Sequence, residues 1–142
     1  MLFSLMVRHA WRMTSIERMS SGGSWEALVG YSRVVTAGGF VFVAGTTGTL
    51  ADGSLAGIGD AEKQTRQAIA NIEAALGRAG ATLADVVRTR IYCTDISQWE
   101  AIGRAHAQAF GAAPPASAMV QVAAFVDPGM LVELEVDAYV GG

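Results

Sequence analysis

Near the C-terminal end of the chain three carboxylates, Glu133, Glu135 and Asp137, occupy every second position, with Val132, Leu134, Val136 and Ala138 between them. That is the alternation of a β-strand, whose side chains point to opposite faces in turn, so the acids share one face and the aliphatic residues the other. A carboxylate shielded in a cleft holds its proton more tightly than usual and can take a proton from water and pass it to a leaving group. Glu133 is the candidate for this work, and a structural ion pair with Arg33 or Arg90 is the alternative. Tyr31 offers a phenol to orient a ligand or a water, or a cross-strand aromatic contact. Gly45, Thr46 and Thr47 close a strand, where backbone N–H groups and hydroxyls can cradle an oxyanion. Arg33 and Arg90 have the strand parity to meet an anionic ligand, although pairing with the acidic strand is the simpler account.

The elements that must position these groups follow from periodicity. Tyr31 to Ala37 and Phe40 to Thr46 read as strands joined at Gly38-Gly39, a two-residue hairpin turn. A Gly- and Ala-rich loop follows, and Asp60 then caps a helix whose apolar residues Ala61, Ala68, Ile69, Ile72, Ala75 and Leu76 keep a 3.6-residue period until Gly80 ends it. Val86 to Thr94 is β-branched and reads as the third strand. Asp95 and Ser97 offer caps to a second helix ending near Phe110. Ala116 to Phe125 and Met130 to Val140 complete the set, with a turn at Asp127-Pro128-Gly129. The order ββαβαββ predicts an α+β domain with one sheet and two helices on one face. Alternate positions then assign Tyr31, Arg33, Arg88, Arg90, Tyr92, Ser117, Met119, Gln121, Glu133, Glu135 and Asp137 to the uncovered face. Such a face suits solvent or a subunit interface with clefts along its seams.

Bulk properties bound the function. A chain of 142 residues, 51% apolar, fits one domain with a sizeable core. Ten basic residues stand against thirteen acidic ones, net charge −3, and they are scattered, which argues against a nucleic-acid partner. One cysteine, Cys93, and two histidines, His9 and His106, leave no metal-ligand spacing, so no metal or cofactor is expected. Cys93 falls on the apolar side of its strand, and His106 reads as a polar helix residue. Leu2 to Met6 is far short of the roughly 20 apolar residues of a membrane span. No membrane association is expected, and the cytoplasm is the default location. Residues 1–22 read as a disordered or leader segment, with Met13 and Met19 as alternative starts, and residues 23–142 as the single domain.

Several stretches, in order, resemble the Rid family, also called the YjgF/YER057c/UK114 family. They are Gly30-Tyr-Ser-Arg33, Phe40-Val-Phe-Val-Ala-Gly45, Gln64-Thr-Arg66 with Asn71-Ile72, Asp85-Val-Val-Arg-Thr89, Thr94-Asp95, Pro115-Ala116 with Val120-Gln-Val122, and Leu131-Val-Glu-Leu-Glu135. The resemblance implies a chorismate-mutase-like fold, a homotrimer, and small-molecule clefts between subunits. It also implies hydrolysis of reactive enamines and imines such as 2-aminoacrylate to a keto acid and ammonia. Family members carry Pro-Ala-Arg-Ser-Cys-Val, whose Arg holds the substrate carboxylate. Here the segment reads Pro115-Ala-Ser-Ala-Met-Val120, placing Ser117 at the Arg and Met119 at the Cys, while a helix Asn of the family site becomes Gly103. Tyr31, Gly45 and Glu133 match.

A hydroxyl does not replace bidentate guanidinium recognition of a carboxylate. Losing such a contact costs on the order of 1.5 to 3 kcal/mol. The chain therefore resembles a branch of the family without the active-site arginine, whose substrate lacks that carboxylate or meets another cation. Two functions stand open: imine or enamine hydrolysis with Glu133 activating water, and a non-catalytic small-molecule-binding or chaperone-like trimer. Ribonuclease activity is disfavoured by the acidity and by the want of a His pair.

Overall fold

Hydrophobic alternation and glycine punctuation produce a single mixed sheet in a computed structural model that describes residues 15–141. Its strands are β1 (Ile16–Met19), β2 (Val34–Ala37), β3 (Phe40–Thr47), β4 (Val86–Cys93), β5 (Ala116–Gln121) and β6 (Val132–Tyr139). Their order across the sheet is β1-β2-β3-β6-β4-β5, with β4 and β5 parallel and the other neighbours antiparallel. The helices are α1 (Ser24–Val29), α2 (Ala61–Arg78) and α3 (Trp99–Phe110), with 3-10 turns at Leu83–Asp85 and Ile96–Gln98.

Local chemistry sets the boundaries. Gly38 and Gly39 both take positive φ, 55° and 86°, which a tight hairpin turn requires and which side chains with a Cβ resist. Asp60 accepts a hydrogen bond from the Lys63 N–H at 3.0 Å and caps α2. Asp95 accepts from the Ser97 N–H at 2.9 Å, so it caps the 3-10 turn that leads into α3. β6 alternates as its sequence demands: Val132, Leu134, Val136 and Ala138 are fully buried, and Glu133, Glu135 and Asp137 are partly exposed on the other face.

The core lies between one sheet face and the two long helices. Val34, Val41, Val43, Ile91, Cys93, Leu134 and Val136 pack with Ala68, Ile69, Ile72 and Leu76 of α2 and Ile102 and Phe110 of α3. Gln64 of α2 is fully buried but satisfied: its amide donates to the Gly129 carbonyl at 2.9 Å and its oxygen accepts from the Leu131 N–H at 2.8 Å. It thereby ties α2 to the turn before β6.

Four expectations need correction. The boundary at residue 22 lies too late, because Ile16–Met19 pairs with Val34–Ala37 as an antiparallel edge strand; residues 1–14 of the expected leader lie outside the described residues. The first strand of the hairpin starts at Val34 rather than Tyr31, since α1 and its left-handed Gly30 (φ 84°) occupy the preceding chain. β5 ends at Gln121, short of Phe125. Its face is also reversed. Ser117 pairs with the buried Thr89 and Met119 packs against the core, so these two turn toward the helix layer rather than the open face.

Candidate functional site

The site is built where β3 bends. The register between β3 and β6 shifts between Val43 and Thr46, a bulge centred on Ala44 and Gly45. Beyond it Thr47 stands opposite Glu133 and Thr46 opposite Leu134. Gly45 is what admits the Glu133 carboxylate: a Cβ there would lie 2.5 Å from Oε1 and 2.9 Å from Cδ. Asn71 of α2 donates to the Thr47 carbonyl at 3.0 Å and the Thr49 carbonyl at 2.8 Å, fixing the strand end. The Thr47 and Thr49 hydroxyls meet at 2.8 Å.

The three acids of β6 separate by their partners. Asp137 takes the Arg90 guanidinium at 3.2 Å, and Glu135 accepts from the Tyr92 hydroxyl at 2.7 Å with Arg90 at 3.7 Å. These pairs are partly exposed, so each contributes only about 0.2–1 kcal/mol. Arg90 thus serves the acidic strand, as its parity suggested. Glu133 has no hydrogen bond or ion pair among the described residues. Burial raises its pKa and the Glu135 charge adds to the rise, while Arg33 opposes it.

Arg33 departs from expectation. Instead of the acidic strand, it pairs with Glu26, whose Oε1 lies 3.5 Å from Nε. Its Nη1 donates to the Gly45 carbonyl at 2.9 Å and to Thr46 Oγ1 at 3.1 Å, and Nη2 to the Tyr31 hydroxyl at 3.1 Å. The guanidinium also lies 5.5 Å from the Tyr31 ring centroid, a cation–π arrangement. One arginine therefore joins Tyr31, Gly45 and Thr46 beside Glu133. Its carboxylate partner was missed in the sequence: Glu26 follows Trp25 in a six-residue helix with no long-range signal of its own.

Ser117 and Met119 belong to a second cluster on the helix side of β4 and β5. The Thr89 hydroxyl donates to Ser117 Oγ at 2.8 Å and lies 2.9 Å from His106 Nε2 of α3. Thr89 has one hydroxyl proton, so the His106 nitrogen must supply the other hydrogen. Burial lowers the His106 pKa, which favours the neutral ring. Ser117 keeps its own proton free to donate at the exposed edge of β5. Cys93 is buried, and burial pushes its thiol pKa up, as a core cysteine should behave. A hollow of about 460 Å³ lies on the open sheet face, lined by Phe40, Phe42, Val87, Arg88 and Asp137, away from Glu133. Among the described residues no helix is long and apolar enough to cross a membrane, and no three His, Cys, Asp or Glu side chains gather as a metal site.

The Endoribonuclease L-PSP family model matches residues 23–140. SCO2049 of Streptomyces coelicolor is 38% identical over 131 residues, covering 91% of this chain and 97% of the relative. The RutC family protein PYRAB12510 of Pyrococcus abyssi is 34% identical, covering 77% and 85%. Among solved structures, Rv2704 of Mycobacterium tuberculosis, described as a member of the YjgF/YER057c/UK114 family, shares 56% identity and a TM-score of 0.80, covering 89% of this chain and all, 100%, of the other. YyfA of Yersinia pestis, of the Rid family, shares 33% identity and a TM-score of 0.79 over 89% and 100%. The sheet with its helices on one face is the chorismate-mutase-like α+β fold of these neighbours. The chain belongs to the Rid, or YjgF/YER057c/UK114, family.

Proposed function

We propose that the protein hydrolyses the imine or enamine of a small metabolite at clefts between the subunits of a homotrimer, with Glu133 activating water. Family membership supports a small-molecule imine deaminase or binding role in general, and Rid proteins are typically homotrimers. The observation that carries the reading is the contrast along β6. Glu135 and Asp137 are engaged by Tyr92 and Arg90, whereas Glu133 has no hydrogen bond or ion pair among the described residues, is seated on Gly45 and is shifted toward holding its proton.

Glu133 takes a proton from water as the oxygen attacks the C=N carbon and passes it to nitrogen, giving the carbinolamine; it then takes the carbinolamine hydroxyl proton and delivers it to the amine nitrogen as the C–N bond breaks and the C=O forms. Both protons of the water end on nitrogen, and the products are a carbonyl compound and ammonia or, from a cyclic imine, the ring-opened amino carbonyl compound, so atoms and charge balance. The Tyr31 hydroxyl and the Thr46–Thr47 strand end position the ligand. Ser117 and Met119, on the edge strand, furnish the facing wall from a second subunit. With serine at the position of the family's arginine, and with Arg33 and Arg90 both committed to internal carboxylates, the substrate is a neutral or cyclic imine rather than an amino acid enamine.

A second reading is a trimer that binds a small molecule without chemistry. Ser117, Met119 and Gly103 favour it, being weaker groups than the Arg, Cys and Asn of the family pattern. Ammonia release from 2-aminoacrylate and from neutral acyclic imines, and ring-opening to the amino carbonyl compound for cyclic imines, separate the two. Turnover that vanishes in Glu133→Ala supports hydrolysis. Equal, negligible rates for wild type and variant, with thermal stabilisation by a metabolite, leave binding alone.

A further inference from the structure

Glu26 is the most buried acid among the described residues, 5% exposed, yet neither proposed function uses it. Its carboxylate is held from three directions. Ser20 Oγ donates to Oε2 at 2.7 Å, the Ser21 N–H lies 3.0 and 3.1 Å from the two oxygens, and Ser21 Oγ donates to Oε1 at 3.0 Å. The Arg33 Nε closes the set at 3.5 Å. α1 and Gly30 fold the chain back so that residues seven apart in sequence meet: the Gly30 and Tyr31 N–H groups both donate to the Glu26 carbonyl, at 2.9 and 3.1 Å. Every polar direction of Glu26 is occupied, so it has no capacity to bind a ligand.

We infer that Glu26 is a positioning residue for the candidate site: it neutralises Arg33 and aims its remaining N–H groups at the Gly45 carbonyl, Thr46 and the Tyr31 hydroxyl. The consequence lies one layer further in. Arg33 and Glu133 flank the same residue, Gly45, one through its carbonyl and the other over its Cα. An uncompensated guanidinium there would favour the ionised form of Glu133. With Glu26 opposite, much of that field is cancelled. The other charged and titratable groups facing Glu133 are Glu135 on its own strand and, across on β4, Tyr92 with Arg90, which is shared between Glu135 and Asp137. Among the described residues none of them has a hydrogen bond or ion pair with Glu26, and Arg33, which pairs with Glu26 and acts on Glu133, is the link between the two.

Loss of turnover on replacing Glu26 would not distinguish positioning from mere folding, but the titration of Glu133 does. Carboxyl carbon NMR of the full-length protein, without ligand, follows Glu133 assigned by comparison with Glu133→Gln. Glu26→Gln shifts the Glu133 midpoint down, Arg33→Gln shifts it up, and the double variant returns it toward the wild-type position. A Glu133 midpoint unmoved, or raised, in a folded Glu26→Gln protein overturns the inference. Should that variant not fold, Arg33→Gln and Glu26→Asp carry the test. The first must raise the midpoint, the second must hold it near wild type, and failure of either overturns the inference. The measurement needs no substrate. A protein that binds without chemistry would still show these shifts, so charge balance and the proposed hydrolysis can fail independently.

Discussion

The carboxylate of Glu133 rests directly on Gly45, close enough that a Cβ at that position would sit 2.5 Å from Oε1. Gly45 does not have positive φ, so alanine is compatible with the backbone there. The atom it strikes is the free end of a flexible side chain, which can swing aside. Gly45→Ala should therefore leave the melting temperature within a few degrees of wild type while moving Glu133 off its seat. On the proposed mechanism the rate falls by about 10²-fold or more, the scale of losing a general base. A variant with unchanged turnover would show that Glu133 need not lie against Gly45 to act.

Much of this arrangement was legible in the sequence, and the misses have physical causes. The alternation from Val132 to Ala138 placed three acids on the open face because that strand is central and one side is wholly buried, which forces the pattern. β5 carries no such force. It is an edge strand, exposed at most positions, so its sequence Ala-Ser-Ala-Met-Val-Gln does not say which side faces the helices. The strand Ile16–Met19 is invisible for the same reason, three of its four residues being exposed. The bulge at Ala44–Gly45 breaks the period that sequence parity assumes. The Glu26–Arg33 pair was missed because a short helix, not a strand alternation, brings it together.

Glu26 makes acid sensitivity predictable. Burial alone would raise its pKa, but the Ser20 and Ser21 hydrogen bonds and the Arg33 charge outweigh burial and lower it from 4.5 to about 2. The unfolded chain then binds the proton more readily than the folded one. The contribution of Glu26 is complete above pH 4.5 and is lost as pH falls toward 2. Urea unfolding from pH 6 down to about 2 should show a fall in stability that is smaller in Glu26→Gln, which starts lower and has nothing at this position left to protonate. Parallel curves for the two proteins would contradict this.

For Glu133 the sign is opposite. Burial, then Glu135, raises its pKa above 4.5, so the folded state keeps the proton more readily than the unfolded chain. Ionised Glu133 therefore costs stability, and that cost grows as pH rises through its folded midpoint. Glu133→Gln, of the same shape without the charge, should be the more stable protein at pH 7, with the advantage fading as pH falls through the folded midpoint of Glu133 and gone below pH 4.5. The same variant should lose about 10²- to 10⁴-fold in imine hydrolysis. Stability traded for activity at one residue is what a site group, rather than a structural ion pair, would show.

The helix-side cluster can be tested with a change that keeps volume. Thr89→Val removes the hydroxyl that links His106 and Ser117, leaving the half-buried imidazole N–H without its acceptor. The cost should be about 1–3 kcal/mol by denaturant titration, as for a buried donor stripped of its partner. If Ser117 contributes to the ligand wall, the variant also weakens ligand binding in thermal-shift titrations. Binding unchanged at reduced stability would confine Thr89 to the fold.

The open sheet face bears on assembly. Phe40 and Phe42 are 41% and 40% exposed, their rings stack at 5.9 Å, and Tyr139 lies 5.0 Å from Phe40. Phe42 pairs across β3 and β6 with Asp137 and lines the hollow with Arg88. These rings are outside the core, so a subunit folds without them, but an interface built on this face would bury them. A carboxylate introduced at Phe42 would then stand beside Asp137 in a dry seam, where an unpaired charge costs several kcal/mol. Sedimentation velocity should show wild type as a trimer and Phe42→Glu as folded monomers, with circular dichroism unchanged. Trimers that persist in the variant would place the subunit contacts elsewhere, and the facing wall at Ser117 and Met119 would then have to come from a different packing of the three copies.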